Sequence, residues 1–168
     1  NLSSYEYSLP ESLIAQQPAA RREQSRLLVL DCLNNEIRHS HCTAVGALLQ
    51  PGDLLVVNNS KVFPARLFGS KETGGSIELL LLHFPESQRP GEAVASALLR
   101  SSKRAKPGSL LYFAADLQAK VEALLPDGKA KVRLLHPPTA DLSQLLDQHG
   151  QLPLPPYIHR PKGSTAAD

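Results

Sequence analysis

Apolar runs in this chain are short, and turn-forming residues separate most of them. Leu9, Pro10, Glu11 and Ser12 predict a helix start ahead of Leu13, Ile14 and Ala15, with proline and an acid in the first turn. Ser25 to Asp31 (SRLLVLD) predicts a short strand, Leu33-Asn34-Asn35-Glu36 a turn, and Glu36 to Cys42 a second strand pairing back on the first. Thr43 to Leu49 predicts a short helix stopped by Pro51-Gly52. Leu54 to Val57 has no polar interruption and predicts a strand buried on both faces.

Beyond Lys61 the pattern changes. PARLFGSK, SIELLLLHF, AVASALLR, SLLYFA, LQAKVEALL and KAKVRLLH are strand-like, and Thr73-Gly74-Gly75, Pro90-Gly91, Pro107-Gly108 and Asp127-Gly128 lie between them. Short strands at that spacing predict an antiparallel barrel or sandwich. Asp141 to His149 carries leucines at helical spacing, with Gly150 in the C-cap position. LPLPPYIHRP follows, with four prolines in ten residues, and predicts an extended, rigid segment. The simplest division is an α/β beginning over residues 1–58, a β-rich module over 59–151 and a Pro-rich return over 152–168.

The break at the end of Leu54–Val57 raises a chemical question, because Asn58, Asn59, Ser60 and Lys61 stand where a buried strand should continue. Amides and cations at the end of an α/β strand suit a ligand crevice. Asn58 and Asn59 offer donors and acceptors, and Lys61 and Arg66 offer charge for a carboxylate or phosphate. The same residues also suit a plain turn with solvated edge charges, and both readings stand at this point.

Two other stretches carry potential chemistry. Arg100, Lys103, Arg104 and Lys106 fall inside seven residues, either to track backbone phosphates or to keep a hairpin soluble. In LPLPPYIHRP, Pro156 belongs to the preformed edge. Tyr157 brings a flat face, and His159 and Arg160 bring polar reach, for stacking a base or simply for linking domains. His39, His41 and Cys42 imitate a metal cluster. Strand alternation puts the cysteine on the opposite face from both histidines, so no metal is expected.

Composition narrows the class. The 168 residues, 42% hydrophobic and 20% charged, suffice for one medium domain or two small ones, and a net charge of +2 neither demands nor excludes a nucleic-acid partner. Two cysteines without a CxxC spacing predict a reducing cytoplasm. The absence of methionine and the loop-like ending RPKGSTAAD predict a processed or truncated product. No GxGxxG, Walker loop, GxSxG or HExxH occurs, which removes support from common nucleotide, hydrolase and zinc readings.

Taken in order, LPESLIAQQP, SRLLVLD, PGDLLVVNNSKVFPARLFG, TGGSIELLLL, SSKRAKPG and LPLPPYIHRP resemble the family of S-adenosylmethionine:tRNA ribosyltransferase-isomerases of the queuosine pathway. The resemblance runs over nearly the whole chain. It implies an α/β main domain, here partial, with an inserted antiparallel β-barrel domain, the chain leaving the main sheet near Asn58 and returning near Leu152. It implies a reaction at the tRNA wobble position, moving the ribosyl part of S-adenosylmethionine onto 7-aminomethyl-7-deazaguanine. Epoxyqueuosine forms while adenine and methionine leave.

The resemblance further implies that S-adenosylmethionine is consumed as a co-substrate, with no other cofactor and no metal, in a cytoplasmic, monomeric enzyme acting on tRNAs with a GUN anticodon. It assigns substrate binding to Asn58, Asn59, Lys61, Arg66, Pro156, Tyr157 and Arg160, and tRNA binding to Arg100, Lys103, Arg104 and Lys106, with no residue standing out as general base. The family's chain is about twice as long, so these 168 residues alone are expected to be inactive. A non-catalytic RNA-binding β-barrel module is the alternative.

Overall fold

The computed structural model describes residues 2–102, 105–155 and 157–159. They form two units, one of residues 2–59 with 155 and 157–159, the other of residues 60–102 and 105–154.

In the first unit the two predicted strands form as β1 (Arg26–Asp31) and β2 (Glu36–His41), an antiparallel pair in register from Arg26↔His41 to Asp31↔Glu36. Asp31 builds the turn between them. Its Oδ1 accepts from the backbone N–H groups of Leu33 (3.0 Å) and Asn34 (3.2 Å), and its Oδ2 accepts from Asn34 Nδ2 (2.9 Å). Those bonds, the Asn34 side chain's first, favour the ionised form and hold the carboxyl below its usual value. Asn35 takes the left-handed conformation, φ 52°, that completes the reversal.

The helices expected in this unit are 3-10 turns instead, at Glu11–Leu13 and Cys42–Leu48. Neither carries a fully buried residue, and so short a segment lacks the packed face that stabilises an α-helix. Leu54–Val57 departs from expectation as well. It runs without strand pairing, and Leu54 and Val56 are 87% and 81% exposed. A strand apolar on both faces needs paired edges and a covering layer on each side, and no described residue supplies them. The α/β sheet expected over residues 1–58 is therefore not formed among the described residues.

The second unit is a closed barrel. Its strands are β3 (Arg66–Lys71), β4 (Ser76–Leu81), β5 (Glu86–Arg89), β6 (Glu92–Ser101), β7 (Leu110–Ala114), β8 (Leu117–Leu124) and β9 (Lys129–Leu135). All pairings are antiparallel, in the order β4-β3-β7-β8-β9-β6, and β6 pairs back with β4 to shut a six-stranded ring. Strand β6 is long enough to serve three neighbours. It takes β9 along Glu92–Leu98, β4 along Ala97–Ser101, and the short β5, which the sequence pattern missed, near its start.

Alternation explains the core. Leu67, Leu79, Leu111, Leu117, Val121, Val132 and Leu134 are fully buried, and the small residues Ala95, Ala97, Ala119 and Ala130 fill the space between them. A narrow barrel needs that mixture of large and small side chains. Helix α1 (Leu142–His149) adds Leu146 to the same cluster. It starts on the Asp141 carboxylate, which accepts from Ser143 N–H at 2.7 Å.

Gly150 is the C-cap of α1, as expected, its N–H donating to Leu146 O at 2.8 Å, and its φ of −86° is one that any residue adopts. A Cβ at this position would run into the carbonyl oxygen of Pro64. Just beyond it, Arg66 N–H donates to Gln151 O (3.0 Å) and Gln151 N–H donates to Arg66 O (2.8 Å). The two ends of the barrel unit are thus tied together. Among the described residues, no helix is long and apolar enough to cross a membrane.

Candidate functional site

Each predicted site residue has a definite place or lies outside the described residues. Asn58 and Asn59 are exposed, in an irregular extended segment of the first unit, whereas Lys61 and Arg66 belong to the barrel unit. Pro156, Arg160, Lys103 and Arg104 lie outside the described residues. Lys106 is exposed, and its backbone N–H donates to Ser109 Oγ at 3.0 Å within the turn at Pro107-Gly108.

Arg66 opens β3, and alternation sends its side chain to the outer wall while Leu67 goes to the core. There its Nε donates to Glu78 Oε1 at 2.7 Å, and its guanidinium carbon lies 5.0 Å from the ring centroid of Phe68. Glu78 in β4 is in register with Arg100 of β6. Across three adjacent strands the half-exposed Phe68, Glu78 and Arg100 are thus in register, and Arg66 reaches Glu78 diagonally from two residues before Phe68. A cavity of about 260 Å³ borders this row, lined by Glu78, Leu80, Leu98, Leu99, Arg100 and Gly128.

The structure thus brings together Arg66 and Arg100, which the sequence had assigned to different tasks. A guanidinium over an aromatic ring, with further cationic charge alongside, can stack a base and meet its phosphates. Glu78 and Phe68 were missed as site residues. The signal for Glu78 was present, as the lone charge in the run from Ser76 to Leu82.

The barrel's other wall carries a structural network. Arg133 Nε donates to Glu122 Oε1 (2.7 Å) and Arg133 Nη1 to Glu92 Oε2 (3.0 Å), while Arg89 Nη2 reaches Glu92 Oε1. The Arg89 hydrogen bond, then that of Arg133, holds the Glu92 carboxyl below its usual value against a partial-burial effect. Partial burial pushes the Glu122 carboxyl up, but the Arg133 bond and the charges of Arg133 and Lys131 outweigh it, leaving the carboxyl lowered. These cations are engaged with carboxylates on neighbouring strands.

In the first unit, Tyr157 and His159 line a second cavity of about 350 Å³ together with Glu11, Ile14 and Gln16. Gln16 Nε2 donates to Tyr157 O (3.1 Å) and to Ile14 O (3.3 Å), and Gln16 Oε1 accepts from His159 N–H (2.8 Å). Gln16 and Glu11 were not legible as site residues, since nothing in the local pattern distinguishes one glutamine in IAQQP. Among the described residues, no group of three histidine, cysteine or acidic side chains is placed to hold a metal.

Comparison with known proteins gives this geometry a context. The sequence matches the family described as Queuosine biosynthesis protein over residues 2–167. It is 43% identical to the S-adenosylmethionine:tRNA ribosyltransferase-isomerase of Desulfotalea psychrophila over 98% of this chain and 46% of that protein. The enzyme of the same name from Aquifex aeolicus is 38% identical over 95% of this chain and 45% of its own length. The crystal structure of the S-adenosylmethionine tRNA ribosyltransferase of Thermotoga maritima is 38% identical, covering 79% of this chain and 44% of that one, with a TM-score of 0.34. The chain spans about half the length of the curated relatives it matches. With a match running from residue 2 to residue 167, the chain belongs to the queuosine biosynthesis protein family.

Proposed function

We propose that the protein acts in transferring and isomerising the ribosyl moiety of S-adenosylmethionine onto 7-aminomethyl-7-deazaguanine at the wobble position of tRNAs with a GUN anticodon. Epoxyqueuosine-tRNA is formed, and adenine and methionine are released. The observation that carries this reading is the identity of 43% to a relative of that name across 98% of the chain. The setting is the cytoplasm, the enzyme is a monomer, and S-adenosylmethionine is a consumed co-substrate with no further cofactor.

The chemistry asks little of a cofactor. The sulfonium acidifies the neighbouring C5′ hydrogens, so a positioned base can remove one. Departure of adenine and attack by the aminomethyl group must then share one geometry, away from water. Asn58, Asn59, Lys61, Arg66, Pro156, Tyr157 and Arg160 serve donor binding in this proposal. Arg100, Lys103, Arg104 and Lys106 meet tRNA phosphates, a role supported for Arg100 by its place in register with Glu78 and Phe68, beside Arg66.

The domain division proposed is a first part of an α/β main domain over 1–58, an inserted barrel domain over 59–151 and a return over 152–168. The paired ends at Arg66 and Gln151 support the insertion, because an inserted module must give the chain back close to where it took it.

Incubation with S-adenosylmethionine and precursor-modified tRNA tests the reading. Released adenine is expected from a chain of the relatives' full length, and none from these 168 residues alone. Release of S-adenosylhomocysteine instead would make it a methyltransferase, and tRNA binding without any adenine would leave an RNA-binding module.

A further inference from the structure

We infer that the cavity formed by Glu11, Ile14, Gln16, Tyr157 and His159 is a site for an uncharged purine nucleoside, and that Gln16 is the positioning residue that shapes it. The inference deepens the proposed function, on which the assignment of this site to the nucleoside half of the donor rests.

Gln16 braces a turn. Ile158 N–H donates to Pro155 O at 3.0 Å, and the Tyr157 carbonyl and the His159 N–H flank Ile158. The one side-chain amide answers both, donating at 3.1 Å and accepting at 2.8 Å, across 141 and 143 residues of sequence. Its second donor contact, to Ile14 O at 3.3 Å, fixes the side chain against its own segment. The partners also fix the amide's orientation, since a carbonyl accepts only from the NH2 and an N–H donates only to the oxygen.

The lining then defines the ligand. Tyr157 supplies an aromatic face and Ile14 an apolar surface, both suited to a flat heterocycle. Glu11 supplies a carboxylate that accepts from an exocyclic amine, and His159 supplies a ring nitrogen. A volume of about 350 Å³ falls within the range of small-molecule sites. The carboxylate also repels a phosphate, which favours a nucleoside over a nucleotide.

Calorimetric titration of the full chain with 5′-methylthioadenosine and with adenosine 5′-monophosphate tests this. The nucleoside is expected to bind and the monophosphate to bind more weakly. Gln16→Glu places a second acceptor against the Tyr157 carbonyl and is expected to weaken nucleoside binding roughly tenfold, as is Tyr157→Ala. Glu11→Gln is expected to narrow the gap between nucleoside and monophosphate. Absence of nucleoside binding, or affinity indifferent to both Gln16→Glu and Tyr157→Ala, overturns the site. If Gln16→Glu fails to fold by circular dichroism, the exposed Tyr157 decides alone.

Adenine release by the unaltered protein is measured in parallel. Release with a titration blind to both variants removes the pocket and leaves the proposed function. A titration that responds to them, without release, does the reverse.

Discussion

Gly69 of β3 lies against the backbone of Tyr112 in β7, so close that a Cβ on the glycine would collide with the Tyr112 carbonyl oxygen. This is the seam between β3 and β7, which share the pairs Ser70↔Tyr112 and Lys71↔Leu111. Gly69→Ala must therefore push the two strands apart. A loss of about 1–3 kcal/mol is expected in urea unfolding, from the overpacking. Gly46→Ala, where an added Cβ meets nothing, is the control and should not lower stability. Equal behaviour of the two variants would mean that the seam is not held as described.

Core and surface leucines should differ sharply. Leu134→Ala empties a fully buried position and should cost about 2–5 kcal/mol. Leu55→Ala, at a position 57% exposed, should fall within about 0.5 kcal/mol. Denaturant midpoints for the two variants check the contrast directly.

Acid should weaken the barrel through Glu92 and Glu122. Both carboxyls are lowered in the folded state, so the unfolded chain binds protons more readily as pH falls. Their contribution is complete above the unfolded carboxylate value, about pH 4.3, and disappears as pH drops through the lower folded values. Arg133→Met removes the shared partner, and the acid limb of stability against pH should flatten. An unchanged limb would show that other carboxylates set it.

Arg66→Ala should leave the barrel folded, since its pair with Glu78 is partly exposed and such pairs contribute no more than about 1 kcal/mol. Adenine release should nevertheless be abolished. Normal release by a folded Arg66→Ala protein would take Arg66 out of the site.

Arg100→Ala and Lys106→Ala should each weaken tRNA binding and lower the salt slope by about one. Replacing Lys103 and Arg104 together should act in the same direction. A slope indifferent to all of these would return the basic patch to a solubility role.

Strands β3, β4, β6, β7, β8 and β9 were legible because each carries its own alternation and stands between turn residues. Helix α1 was legible for a similar local reason, with its leucine spacing and its Asp141 cap. Strand β5 (ESQR) was not, since it is polar and exposed throughout and exists only because the edge of β6 accepts it. Leu54–Val57 shows the opposite limit. Its composition says strand, but a strand needs a partner, and the local sequence cannot say whether one is there.

The period of the barrel strands, the turns between them and the family are all carried by residues close together along the chain. Folding in three dimensions is what sets Arg66 against Glu78, itself in register with Phe68 and Arg100, and Gln16 against Tyr157 and His159. Those contacts join positions 12 to 143 residues apart. They depend on strand register and on which segments lie side by side, and neither leaves a mark in local periodicity.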